Sequence, residues 1–176
     1  MFIKPSATEL NQVNDFLAGA KSLQGGPPEW TDSTRIGDKE AKWPIEDDIG
    51  IVRAHLRFRF RFPEYPSMSL IFRGQPIWRV DVAQPDECKP NPHDAGKFNL
   101  PPRVCGVHEH AWYDNVDAVR NSGWGGLPYR RPINVQVRKL PQVLADFCGR
   151  VNLTLSHDQR SFDVPAQRTM RLEQKP

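Results

Sequence analysis

Hydrophobic and cationic residues alternate without a break from Val52 to Phe62, within the segment 51 to 62 that reads IVRAHLRFRFRF. Successive side chains of a β-strand point to opposite faces of a sheet, so this period of two predicts a strand with one apolar and one cationic face. The even positions are assigned to a core. The odd positions form a set that we call the arginine row: Arg53, His55, Arg57, Arg59 and Arg61. The row is open to two interpretations, a solvated face that guards against aggregation or a binding surface for phosphate or acidic protein.

Two further alternating segments, residues 67–73 and 77–82, predict a second and a third strand. Gly and Pro in the two intervening stretches predict hairpin turns, so the strands are expected to form an antiparallel meander. If the even positions share the core face, Arg73, Arg79 and Asp81 join the arginine row. The sheet would then have one basic face with one carboxylate in it.

Helical and strand patterns also flank this sheet. Ser6 and Glu9 have the spacing of a capping box, and apolar residues follow at helical intervals. The chain is therefore predicted to be a single α+β domain, an antiparallel sheet packed by an N-terminal and a C-terminal helix. Its predicted parts are a helix over 6–18, an extended connection over 22–50, strands over 51–83, a histidine-containing loop and strand over 84–115, and a strand, helix and strand over 133–165, beginning with Ile133, Val135 and Val137.

The composition narrows the cellular setting. No apolar run approaches the roughly 20 residues of a membrane span, and the N-terminus lacks the features of a signal peptide, so a cytoplasmic location is predicted. Cys88, Cys105 and Cys148 are widely spaced and odd in number. They are predicted to be reduced thiols, with no Cys-x-x-Cys zinc motif.

Charge is distributed unevenly along the chain. The first 50 residues hold five Lys/Arg against nine Asp/Glu, whereas residues 51–83 hold six against two. Concentrated positive charge predicts a nucleic-acid or acidic-protein partner. The acidic cluster at 46–48 is either a solvated loop or an intramolecular mask for the basic face.

Candidate chemistry follows the third strand. His93 lies in a loop, and His108 and His110 are separated by one residue, so in an extended chain they share a face with Trp112. Paired imidazoles can serve as base and acid at neutral pH, and arginine can stabilise a phosphorane, so the set predicts an RNA-cleaving site that requires no metal and no cofactor. His-x-His is also half of many metal sites, for which the further ligand candidates are Asp81, His93, Asp94 and Cys105.

A strand that ends in Arg79-Val80-Asp81, a loop histidine at His93, and a later His108-Glu109-His110 resemble small bacterial proteins of the TumE toxin type. The resemblance covers about residues 70–115, and the chain departs from it by a longer loop with one histidine where the toxins often have two. It implies a toxin–antitoxin or mobile-element setting, with Arg79, Asp81, His93, His108 and His110 as the matching positions.

Two classes of function therefore stand. The first is a small RNA-directed nuclease whose basic sheet grips phosphates through Arg53, Arg57, Arg59, Arg61 and Arg73, and whose histidines cut. The second is a non-catalytic phage or plasmid inhibitor that binds the nucleic-acid channel or protein surface of a defence complex. Convergence of two histidines and a cation around one phosphate would favour the enzyme.

Overall fold

A computed structural model of the protein describes residues 2–133 and 140–166. Within these ranges the fold is α+β, with three α-helices, a large mostly antiparallel sheet and a small hairpin. The helices are α1 (Ala7–Ala18), α2 (Trp112–Ser122) and α3 (Leu140–Arg150), and a 3₁₀ helix spans Ala95–Phe98. The strands are β1 (Lys21–Leu23), β2 (Trp30–Asp32), β3 (Lys39–Asp47), β4 (Val52–Phe60), β5 (Ser67–Phe72), β6 (Gln75–Asp81), β7 (Cys88–Pro90), β8 (Arg103–Cys105), β9 (His108–His110), β10 (Arg131–Pro132) and β11 (Leu153–Thr154).

The large sheet has the strand order β10-β9-β6-β5-β4-β3-β1-β11, with β2 paired to β3. Strands β3 to β6 form the antiparallel meander that the sequence predicts for β4 to β6, and β1 pairs with β11 in parallel. The turn between β5 and β6 has positive φ at both central residues, Arg73 (48°) and Gly74 (82°). That conformation is the one that suits the twist of a two-residue hairpin.

The predicted register of β4 is confirmed for Ala54 to Phe60, but Val52 and Phe62, which the alternation also assigns to the core, are each 47% exposed. Phe62 lies beyond the last residue of β4 that pairs with a neighbouring strand. Phe58 and Phe60 are buried, whereas the intervening arginines are only half buried. Helix α1 begins after Ser6, whose side chain and that of Glu9 form the predicted capping box. On the apolar face, Phe16 of α1 stacks on Phe72, and Phe147 of α3 contacts Trp78 edge to face. The core therefore lies between this face of the sheet and the two helices.

The strand that carries the histidine pair is anchored from the core side. Glu109 is 2% exposed and accepts hydrogen bonds from Trp78 Nε1 (3.0 Å) and Arg150 Nη1 (2.7 Å). Because side chains alternate along β9, this anchor directs His108 and His110 to the opposite face.

Two predictions about secondary structure are wrong, and most of a third lies outside the described residues. The extended connection of 22–50 contains β2 and β3, and β3 pairs with β4 along most of its length. The extended segment predicted through Trp112 ends at His110, and α2 begins at Trp112. Of the strand predicted from 133 to 137, residues 134–137 lie outside the described part of the chain.

The prediction of reduced thiols is wrong for two of the three cysteines. The β7–β8 hairpin places Cys88 opposite Cys105, and they form a disulfide, while Cys148 is a buried free thiol. Disulfides persist mainly in oxidising compartments, so the cytoplasmic location stays a prediction. None of the helices in the described ranges is long and apolar enough to cross a membrane.

Candidate functional site

Two rows of polar residues cross the sheet on the face opposite α1 and α3. Pairing of consecutive strands places Arg59, Ser67, Asp81 and His108 in one row, and Arg57, Ser69, Arg79 and His110 in the next. With about 4.8 Å between neighbouring strands, the arginines of β4 lie about 14 Å from the histidines of β9. The prediction that Arg79 and Asp81 join the row of Arg57 and Arg59 agrees with this register.

The ends of the two rows converge in a cluster around one carboxylate. Asp81 Oδ2 lies 3.5 Å from His108 Nε2 and 3.3 Å from His110 Nε2. Arg79 contacts the same group, with Nε 2.9 Å from Asp81 Oδ2 and Nη2 2.6 Å from His110 Nε2. Ser67 Oγ donates to the other carboxylate oxygen at 2.7 Å.

Backbone carbonyls orient both imidazoles. His108 Nδ1 lies 2.8 Å from the carbonyl oxygen of Gly106, and His110 Nδ1 lies 2.5 Å from that of Leu127. A carbonyl can only accept, so each Nδ1 is assigned the proton, and each Nε2 of a neutral ring offers its lone pair to the cluster. This tautomer is the one required of a base that acts through Nε2.

Burial and neighbouring groups lower the pKa of two members of the cluster, Asp81 and His110. Burial raises the pKa of Asp81, but the hydrogen bond that a protonated His110 Nε2 donates, the charge of Arg79 and the hydroxyl of Ser67 outweigh it and hold that pKa below its usual range. Burial lowers the pKa of His110 from its ordinary value, and the hydrogen bond to Asp81 that its protonated Nε2 donates only partly offsets the effect. Near neutral pH the cluster therefore contains an ionised Asp81 and an uncharged His110.

A cleft of about 440 Å³ opens beside the cluster. Its lining includes Arg79, Asp81 and His108, together with Tyr65, Glu87, Lys89 and Arg130. Burial, and then the positive charge of Arg79, lower the pKa of Arg130. Two guanidinium groups near one another repel, so an anion in the cleft would relieve the repulsion.

The segment 127–131 contacts the cluster through the Leu127 carbonyl and is held by one buried side chain, Asn115, and two partly buried ones, Asn91 and Asp94. Asn115 donates to the carbonyl of Tyr129 (3.1 Å) and accepts from its backbone NH (2.8 Å). Asn91 holds both backbone polar groups of Arg130, and Tyr129 Oη donates to Asp94 at 2.6 Å. These bonds set the position of Arg130 and of the Leu127 carbonyl.

Asp81, His108 and His110 also have the composition of a metal site, since their ligand atoms lie within 4.8 Å of one another. The Arg79 guanidinium, however, already contacts two of these three side chains at 2.6 and 2.9 Å. An ion bound by all three would have to displace that guanidinium. The contacts of Arg79 therefore compete with metal ligation at this cluster.

The structure brings together four of the five predicted catalytic residues. Arg79, Asp81, His108 and His110 form the cluster, whereas His93 is exposed in the loop before the 3₁₀ helix and does not line the cleft. The prediction that His93 belongs to the working site therefore finds no geometric support.

Acidic residues next to the arginine row neutralise much of it. Arg59 pairs with Glu40 (2.9 Å), Arg53 with Asp47 (3.5 Å) and Arg61 with Asp38 (3.6 Å). Within the acidic cluster at 46–48, Asp47 makes this contact with Arg53, and the intramolecular mask of the whole basic face stays a prediction. Arg73 lies in a hairpin turn and bonds Gln12 of α1, so it is not part of the row.

Sequence reasoning missed Arg130, Lys89 and Tyr65 as members of the cleft. The sequence shows two adjacent arginines at 130 and 131. It does not show that this segment lies beside the histidines, because hydrogen bonds with Asn91 and Asn115 hold the segment there and neither asparagine belongs to a recognisable motif. In comparisons with known proteins, no protein-family model, curated protein or solved structure matches this chain.

Proposed function

We propose that this protein is a small RNA-directed nuclease of the toxin type, from a bacterial toxin–antitoxin or mobile-element system. The observation that carries the proposal is the convergence of two imidazole Nε2 atoms and the Arg79 guanidinium on one carboxylate oxygen at the wall of a cleft. A second guanidinium, that of Arg130, lines the same cleft. Bases, an orienting carboxylate and cations are the groups that metal-independent RNA cleavage requires.

The basic face of the sheet would bind the RNA backbone. Arg57 lies in the same row as Arg79 and two strands away, a separation of about 10 Å. That separation lets one RNA strand contact both residues through successive phosphates. Arg59 pairs with Glu40, so its charge is partly neutralised and it should bind phosphate more weakly. Arg57 is therefore the better candidate for a phosphate-binding residue.

The cluster supports a cleavage in which the 2′-oxygen of the RNA attacks the adjacent phosphorus. One imidazole Nε2 accepts the 2′-OH proton, and Asp81 stabilises the imidazolium that forms. The second imidazole must enter the step with a proton that it has taken from water at Nε2, and it donates this proton to the departing 5′-oxygen. The first imidazole then releases the 2′-OH proton to water, so that both rings return to their starting states after the second is protonated again. Arg79 and Arg130 stabilise the charge that develops on the phosphorane oxygens. The products are a 2′,3′-cyclic phosphate and a 5′-hydroxyl.

A second candidate is a non-catalytic inhibitor that binds a nucleic-acid channel or an acidic protein surface. The observation that favours it is the burial of the pair, since His108 is 2% exposed and His110 is fully buried. Imidazoles this buried can serve to connect the sheet to the segment 127–131. The inhibitor would use the basic face and leave the histidines structural.

Cleavage of a labelled single-stranded RNA tests the proposal. We expect fragments that end in a 2′,3′-cyclic phosphate, no cleavage of a 2′-O-methyl copy of the same sequence, and full activity after dialysis against a chelator. Loss of activity on chelation, with recovery on adding zinc or manganese, would instead assign the cluster to a metal. Intact RNA under all conditions, together with tight binding, would support the inhibitor.

The basic face is tested separately by replacing Arg57 with Gln. Removal of one phosphate contact should weaken RNA binding and reduce the slope of log K against log salt by about one. Arg103, exposed on the β7–β8 hairpin, provides the matched control as Arg103→Gln. Equal salt slopes for the parent and Arg57→Gln would exclude this residue from the RNA-binding face.

A further inference from the structure

A second cavity adjoins the cleft, and two arginines line both. It has a volume of about 420 Å³ and shares Arg79 and Arg130 with the cleft. This volume falls in the usual range for small-molecule sites, about 300 to 1,000 Å³. Most of its remaining wall is apolar or glycine backbone, contributed by Phe2, Ala118, Ser122, Gly123, Gly125, Gly126, Leu127 and Pro128.

An exposed aromatic ring forms part of this wall. Phe2 is 64% exposed, although its backbone neighbour Ile3 is tied to the glycine segment by a hydrogen bond from Trp124 N to Ile3 O (3.2 Å). Phe2 lies so close to the glycines that a Cβ added at Gly125 would come within 2.6 Å of its ring, and one at Gly123 within 2.9 Å of its Cβ. The glycines therefore allow the ring to pack against the backbone and face the cavity.

We propose that this second cavity is a nucleobase subsite, in which Phe2 stacks on the base next to the phosphate held by Arg79 and Arg130. The inference rests on the proposed nuclease function, because it takes that phosphate to be part of an RNA strand. Stacking of bases on exposed aromatic rings beside a cationic backbone groove is a general means of binding single strands. The shared arginines place the anionic part of one nucleotide next to the apolar cavity that would receive a base.

Binding of an uncleavable RNA tests the subsite. The full chain, tagged at its C-terminus so that Phe2 keeps its surroundings, is titrated with labelled 2′-O-methyl hexanucleotides in which each base in turn is replaced by an abasic unit. In the parent, one abasic position should raise Kd by about 5- to 150-fold, the range for a lost aromatic stack. In Phe2→Ala, an abasic unit at the same position should raise Kd by about twofold or less. In Phe2→Trp, it should raise Kd as much as in the parent.

Phe62 provides the matched control, because it is an exposed phenylalanine (47%) that lines neither cavity. Phe62→Ala should keep the abasic profile of the parent. The subsite would be overturned if Phe2→Ala kept the abasic profile of the parent, or if Phe62→Ala lost the abasic effect to the same extent as Phe2→Ala. In either case, cleavage of RNA by the parent would leave the nuclease proposal standing. A parent that neither binds nor cleaves RNA would overturn both.

Discussion

Replacement of Glu109 tests how the strand between the two histidines is held. In Glu109→Ala, Trp78 Nε1 loses its acceptor in a buried position, and Arg150 loses a buried partner at 2.7 Å. An unsatisfied buried donor costs about 1 to 3 kcal/mol, and breaking a buried ion pair costs about 3 to 5 kcal/mol. The Arg150 side chain is 26% exposed and keeps its contact with Asp146, so the second cost is reduced. We expect a loss of about 2 to 4 kcal/mol in the free energy of unfolding.

Urea unfolding of the parent, Glu109→Ala, Arg150→Met and the double variant measures this loss. Asp146→Ala is the control, because its partly exposed contact with Arg150 on the same helix should be worth no more than about 0.5 kcal/mol. The double variant should be more stable than the sum of the single losses predicts, since the two residues interact. A cost below about 0.5 kcal/mol for Glu109→Ala would refute the buried anchor.

Three further predictions concern stability. Phe58→Ala should lower the free energy of unfolding by about 3 to 5 kcal/mol because the ring is fully buried, and Arg59→Ala should lower it by about 1 kcal/mol or less. Thermal melts in which Arg59→Ala is the less stable variant would contradict the register of β4. Burial lowers the pKa of His110 in the folded protein, so the unfolded chain binds the proton first as pH falls. The parent should therefore lose stability below about pH 6.5, and His110→Gln should lose less. Reduction of Cys88–Cys105, which closes a 17-residue loop, should lower stability by about 2 to 4 kcal/mol, and a reductant-independent melt would argue against the disulfide.

The sequence predicts those parts of the fold that depend on local pattern. The period of two in β4 identifies its buried face, and the capping box at Ser6 identifies where α1 begins. The register of β5 and β6 follows from short hairpins, and it carries Arg79 and Asp81 to the same face as Arg57. The alternation in β3, where Ala41, Trp43 and Ile45 are buried, also has a period of two. Pro44 inside the strand and the Gly-rich stretch that precedes β3 favour a loop instead, so the sequence does not predict this strand.

The parts that the sequence does not predict depend on distant segments. Helix α2 begins at Trp112 after Ala111, which makes no side-chain cap, so no start signal precedes it. The pairing of Cys88 with Cys105 requires the β7–β8 hairpin, which has no strong turn motif. Backbone carbonyls orient both histidines. Every residue has a carbonyl whatever its side chain, so no side-chain pattern in the sequence predicts this orientation.

The rate of RNA cleavage by His108→Ala and His110→Ala tests the central claim most directly. Both variants are compared with the parent under single-turnover conditions, with chelator present, and with circular dichroism to verify that each is folded. If the two imidazoles transfer protons, each replacement should slow cleavage by about 10² to 10⁴, and His93→Ala, which removes an exposed histidine away from the cleft, should cleave at the parent rate. Parent rates in folded His108→Ala and His110→Ala would contradict the assignment of the cluster as a catalytic site.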